Sequence, residues 1–130
     1  MIDGIEPLYL QIAEGIRSSI HEPWQTATVD AVFFSENIRF AGEYFATEGG
    51  RPKSFGVGLN IIRPFRSLRE LFKSAGKPLW CRACFEIRAD GKFKMNWIYD
   101  GCDEDGFAPF DEAKEAEEFK QRQGRQGGSS

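Results

Sequence analysis

The residues Trp80-Cys81-Arg82-Ala83-Cys84 carry the spacing of a dithiol redox site. Such a site needs a buried strand before it and a helix after it, because the helix N-terminus lowers the pKa of the first thiol. Here a helical stretch and Lys77-Pro78 precede the two cysteines, and a strand-like run follows them. On a strand, positions three apart face opposite sides, so Cys81 is expected inward and Cys84 outward, with diverging sulfurs. Two ordinary cysteines are therefore favoured over a redox pair. Structural zinc would need two further ligands. Only Cys102 and the single histidine, His21, are left to supply them, and neither is convincingly spaced. No metal and no cofactor is expected.

The acidic run Asp100-Gly101-Cys102-Asp103-Glu104-Asp105-Gly106 invites a calcium reading. A helix–loop–helix calcium site alternates its acids, places a glycine centrally and ends on a glutamate. The order here departs from that: Gly101 follows the first acid, and Asp111 falls where the glutamate belongs. Gly56-Val57-Gly58 sits in a strand-like run rather than ahead of a helix, so it reads weakly as a phosphate cradle. His21, at a helix end, has no serine or cysteine arranged with it as a nucleophile. The carboxylates are plentiful, but no apolar cover is evident to raise their pKa values. No catalytic residue is assigned.

Arg66, Arg69 and Lys73 recur on one helix face and could contact nucleic acid. The acidic balance of the chain, pI about 5.3, and the lack of an aromatic RNA-binding signature weigh against it.

The elements that must position these residues follow from periodicity. Leu8, Ile12 and Ile16 set the stripe of a helix over 7–20, with Pro7 in its first turn. Trp24 follows as an anchor onto the core. Strands are predicted over 28–34, 38–46 and 54–61; the last alternates Phe55, Val57, Leu59 and Ile61 with small or polar residues. Pro64 is expected to stop that strand and open a helix over 65–75, striped by Leu68, Leu71 and Phe72 and capped by Gly76. Residues 80–99 read as a hairpin with Cys81, Ala83, Phe85 and Ile87 facing Phe93, Met95, Trp97 and Tyr99. Pairing Ile87 with Phe93 requires the three-residue loop Ala89-Asp90-Gly91, with Gly91 left-handed. A short helix is predicted from Asp111 to about Gln121. The class is α+β: an antiparallel sheet of about five strands carrying N-terminal, mid-chain and short C-terminal helices.

One domain over 1–122, followed by a polar tail over 123–130, suits a chain of 130 residues that is 41% hydrophobic and holds 12 Phe and 3 Trp. Apolar runs are too short for a membrane span or a secretory leader, so a cytoplasmic protein is expected. Without a leader, three cysteines argue against a disulfide scaffold. The net charge of −3 conceals a split. Eleven Lys or Arg face three acids between Arg51 and Lys94, whereas nine acids face one base between Asp100 and Glu118. That split is either two solvated faces or a negative surface for a basic partner.

Leu71-Phe72, Leu79-Trp80 before a strand, the turn Asp90-Gly91-Lys92-Phe93, the strand end Ile98-Tyr99-Asp100 and Phe110-Asp111-Glu112 come in an order that resembles the YezG-like (EsaG-type) immunity proteins. Leu8-Tyr9-Leu10-Gln11-Ile12-Ala13 and Pro23-Trp24 agree more loosely, so the likeness spans roughly 7–119. Phe119 stands where that family tends to carry a tryptophan in its last helix. The resemblance implies an antitoxin that neutralises a secreted polymorphic toxin, often a nuclease, by direct complex formation, with no catalysis, no membrane and no direct nucleic-acid contact. Homo-oligomers are compatible with it. The toxin-binding residues expected on this basis are Asp103, Glu104, Asp105, Asp111, Glu112 and Glu115, with Phe107 and Phe110 as buried anchors. The other role open to Phe107 and Phe110 is to fasten the last helix to the sheet. The competing function is a non-catalytic adaptor or a nucleic-acid-associated regulatory module.

Overall fold

The computed structural model describes residues 4–109. The helix predicted over 111–121, with Phe110, Asp111, Glu112 and Glu115, lies outside the described residues, as does the tail over 123–130. The described chain runs α1 (Ile5–Ser19), β1 (Thr26–Phe33), β2 (Ile38–Phe45), β3 (Pro52–Phe55), α2 (Leu59–Ser74), β4 (Arg82–Arg88) and β5 (Phe93–Ile98). The strands form one sheet in the order β3-β2-β1-β4-β5, with every neighbouring pair antiparallel. The fold is α+β. No helix among the described residues is long and apolar enough to cross a membrane.

The core lies between one face of this sheet and the two helices. α1 contributes Ile12, Ala13 and Ile16, and α2 contributes Ile61, Phe65, Leu68 and Phe72. Both sets follow the helical period of three and four, so each helix turns one stripe inward. The sheet answers with Ala27, Val29, Ala31 and Phe33 from β1 and Ala83, Phe85 and Ile87 from β4. Small residues alternate with large ones across the two central strands. Phe85 and Ile12 are fully buried in this core. Trp24 packs against this core from its edge, as expected.

The hairpin adopts the predicted register, with Ile87 opposite Phe93. The Arg88 amide donates to the Lys92 carbonyl at 2.8 Å, which closes a three-residue loop, and Gly91 has φ 93°. Phe93 stacks on Phe85 (5.2 Å) and meets Tyr9 edge-on (5.5 Å), so it faces the helix layer. It is nevertheless 41% exposed, because β5 is an edge strand and α1 covers only part of it.

Two expectations need correction. The strand over 54–61 ends at Phe55, and α2 begins at Leu59, five residues before Pro64. The Gly58 carbonyl accepts from both Ile61 and Ile62 at 3.0 Å and starts the helix. The alternation of Leu59 and Ile61 was shared by two templates. Leu59 is exposed while Ile61, Phe65, Leu68 and Phe72 are buried, and that spacing is helical. Pro64 therefore sits at the sixth helical position, where its ring is buried and one bond to the Asn60 carbonyl is forgone. At the helix end, Gly76 has φ 68°, with Lys77 N–H reaching the Phe72 carbonyl at 3.0 Å, which is the expected glycine cap.

The second correction concerns Cys81. Ala83, Phe85 and Ile87 face the main core as predicted, but Trp80 rather than Cys81 continues it. Ladder pairing on β4 starts only at Arg82, so strict alternation does not reach residue 81. Cys81 instead joins Phe34 and Ala108 in a small second core, flanked by Val32 and Cys102.

Candidate functional site

The segment after β5 is acidic and glycine-containing, which by composition alone suggests a loose loop. Its own backbone and four anchors hold it in place. Asp103 Oδ1 accepts the amides of Asp105 and Phe107, each at 2.9 Å. The Asp103 amide donates to the Phe107 carbonyl at 2.8 Å. This aspartate thus folds the loop around itself, as short acidic side chains do in turns. The Ala108 amide donates to the Phe33 carbonyl at 2.8 Å, and Ala108 forms a parallel bridge with Phe34. Gly106, at φ 79°, lies so close to Leu79 that an added Cβ would sit 2.4 Å from the Leu79 Cβ.

The third anchor is covalent. Cys81 and Cys102 are joined by a disulfide with a Cα–Cα separation of 5.6 Å. This overturns the expectation that the cysteines would stay unpaired. Cys102 was legible only as an odd third cysteine, because the turn that brings it back to Cys81, with Cys102 N–H donating to the Tyr99 carbonyl, has no sequence signature. The divergence of Cys81 and Cys84 is found: Cys84 is not bonded to Cys81. Burial, then the neighbouring Asp30 carboxylate, pushes the Cys84 thiol up to about 12. At neutral pH it is a thiol rather than a nucleophilic thiolate.

Arg69 is the fourth anchor. Only 9% of it is exposed. Its Nη1 donates to the Trp80 carbonyl at 2.6 Å and to the Gly106 carbonyl at 2.7 Å. The guanidinium lies 4.8 Å from the ring centres of both Phe33 and Phe107, and 5.7 Å from that of Trp80. A planar cation fits between aromatic faces and bridges carbonyls in a way that a lysine ammonium cannot. Burial lowers its pKa, while Glu70 and Asp103 act against that shift. The helix face proposed to touch nucleic acid is therefore broken at its centre: Arg66 and Lys73 are exposed, and Arg69 is structural. Phe107, one of the expected toxin anchors, is packed on Arg69 and against the main core.

Between α2 and this loop runs an open groove of about 920 Å³. One side carries Arg66, Lys73 and Lys77; the other carries Asp103, Glu104 and Asp105, with Glu70 and Tyr99 also on its lining. Asp103, Glu104 and Asp105 are all exposed. Among the described residues, none of these charged groups forms an ion pair within 4.0 Å; the pairs found are Arg17–Glu14, Lys53–Glu22 and Lys94–Glu86, all elsewhere. The structure thus brings the predicted acids Asp103, Glu104 and Asp105 to one rim and seats Phe107 beneath them. Sequence reasoning missed that the basic row of α2 faces this same rim, and it gave no site role to Lys77 or Glu70. It placed Tyr99 on the inward row of the hairpin, whereas past the end of β5 it is 44% exposed on this lining. A charge count by segment could not reveal that two distant segments share a groove.

No group of three or more His, Cys, Asp or Glu among the described residues is placed to hold a metal ion. No protein-family model matches the chain, and no curated protein matches it.

Proposed function

We propose that this protein is an immunity protein that binds a nucleic-acid-cutting toxin and blocks it by laying an acidic loop against its basic substrate surface. The observation that carries the reading is the loop over 99–108. It is anchored by a disulfide, by Arg69 and by a strand bridge, and it presents Glu104 and Asp105 outward with no ion-pair partner among the described residues. A solvated loop without a binding role does not need three such anchors. Rigid placement of carboxylates lowers the entropy lost on binding. Opposite charge on a nuclease groove accelerates encounter and disfavours wrong partners. The order of Trp80, Asp90-Gly91-Lys92-Phe93 and Tyr99-Asp100 and its resemblance to YezG-like immunity proteins support the same reading. Phe110, Asp111, Glu112 and Glu115 complete the proposed contact set, without cofactor or catalysis. In a cytoplasmic setting Arg69, the Asp103 turn and the strand bridge would hold the loop with the two thiols free.

The test uses the chain as bait in its native host. The expected catch is a protein whose nuclease activity disappears when the purified chain is added back. The double variant Glu104→Lys with Asp105→Lys should weaken that complex at least tenfold by calorimetry while leaving the melting temperature in place. Asp103 is unsuited to this test, since its carboxylate shapes the loop. An unchanged affinity removes the acidic loop from the interface, and a captured partner lacking nuclease activity removes the toxin class.

A further inference from the structure

The groove has two signs of charge, and a purely basic partner would satisfy only one of them. We propose that it receives an extended peptide segment whose side chains alternate in sign, carboxylates toward Arg66, Lys73 and Lys77 and cations toward Glu104 and Asp105. This deepens the proposed function and rests on it, because the segment would belong to the toxin.

Three observations carry the inference. First, opposite charges line one groove without neutralising one another: no ion pair within 4.0 Å joins the α2 side to the loop side among the described residues. In a flexible loop such rows would close onto each other. Here Arg69 Nη1 bonds both the Trp80 carbonyl on the sheet side and the Gly106 carbonyl on the loop. The disulfide ties the loop to the sheet a second time. The rows are held apart. Second, Arg69 itself lines the groove with nine-tenths of its surface buried and its Nη1 committed to two carbonyls. Its charge adds to the basic side of the groove, where Glu70 and Asp103 already act on it, and favours an incoming acceptor. Third, Tyr99 is 44% exposed on the same lining, an aromatic with a polar tip of the kind that anchors interfaces.

The chemistry of the occupant follows from the pattern. A nucleic-acid strand carries one sign of charge and would meet Glu104 and Asp105 with its phosphates. A uniformly basic surface would set cations against Arg66 and Lys73. An extended polypeptide throws successive side chains to opposite sides, so alternating acid and base matches both rows with one backbone. Each pair would be partly exposed and screened by salt, so recognition depends on several pairs made together.

The experiment titrates the isotope-labelled full chain, followed by amide NMR shifts at low salt, with three synthetic peptides of equal length: alternating Lys-Glu, all-Lys and all-Glu. The alternating peptide should move amides on both rows, around Lys73 and around Glu104, and bind several-fold more tightly than either homopolymer. Lys73→Glu and Glu104→Lys should each weaken it several-fold, and combining the two should not restore it. Equal or tighter binding of the all-Lys peptide, with shifts confined to 103–105, overturns this inference and leaves the acidic-loop reading standing. Tightest binding of the all-Glu peptide at α2 overturns the inference and counts against that reading as well. Absence of shifts in the groove with every peptide overturns the inference, while the bait experiment decides the function independently.

Discussion

Arg69 concentrates at one position what a sequence hides. On paper it is the middle of a basic stripe, flanked by Arg66 and Lys73. In the fold it points inward, where two carbonyls and three aromatic rings surround its guanidinium. Helical period alone cannot separate these cases, because position 69 borders both the apolar stripe through Leu68 and Phe72 and the charged face. The physical consequence is testable. Arg69→Leu leaves the Trp80 and Gly106 carbonyls without their donor and is expected to lower stability by about 2–4 kcal/mol. Arg69→Lys keeps the charge but loses the planar fork, and should recover less than half of that. Urea unfolding reads the result as a shifted midpoint with an unchanged slope. An Arg69→Leu variant as stable as the parent would show that the anchor is dispensable.

At the scale of elements, what was legible depended on whether a local pattern had one interpretation. The 80–99 hairpin was readable in its register and loop length, since only one loop length puts Ile87 opposite Phe93, but not at its base, where Cys81 and Tyr99 leave the inward rows. The start of α2 was not, because Leu59 and Ile61 fit alternation and helix equally until Phe65 and Leu68 are seen packing with Ile61. The 99–108 loop was legible in its charge and opaque in its anchoring. Its disulfide encloses the whole β4–β5 hairpin, with a sequence separation of 21. Closing a loop of that size contributes on the order of 3 kcal/mol through the unfolded chain. Adding a reducing agent should therefore lower the melting temperature by roughly 10 °C, and Cys102→Ser should melt at that lower temperature with or without reductant. If reduction leaves the parent's melting curve unmoved, the bond is not holding the loop. The same comparison bears on the setting of the protein, since reducing compartments would keep these two thiols free. Arg69, the Asp103 turn and the Phe34–Ala108 bridge would then hold the loop on their own.

Across the whole molecule, the sheet is closed at one end by a charged staple that no segment-wise reading would assemble. Glu22, just past α1, accepts a short hydrogen bond from the Tyr44 hydroxyl on β2 and a 2.9 Å bond from Lys53 Nζ on β3. Three parts of the chain that are distant in sequence thus share one carboxylate. The Tyr44 hydrogen bond, and after it the Lys53 ammonium, hold the Glu22 carboxyl below the usual glutamate range. A carboxylate whose folded pKa is depressed adds stability that is present above its unfolded pKa and is lost as pH falls through the folded value. The staple is therefore intact at neutral pH and fails in acid. Glu22→Gln should lie closest to the parent at low pH and fall below it as pH rises through the carboxylate range. Tyr44→Phe should remove more of that pH dependence than Lys53→Met, because the tyrosine bond is the larger cause of the shift. Glu22 is solvent-facing, so the difference is small and needs urea midpoints measured at closely spaced pH values. Curves for parent and Glu22→Gln that stay parallel from acid to neutral pH would show that the three-way contact does not tie the sheet edge to α1.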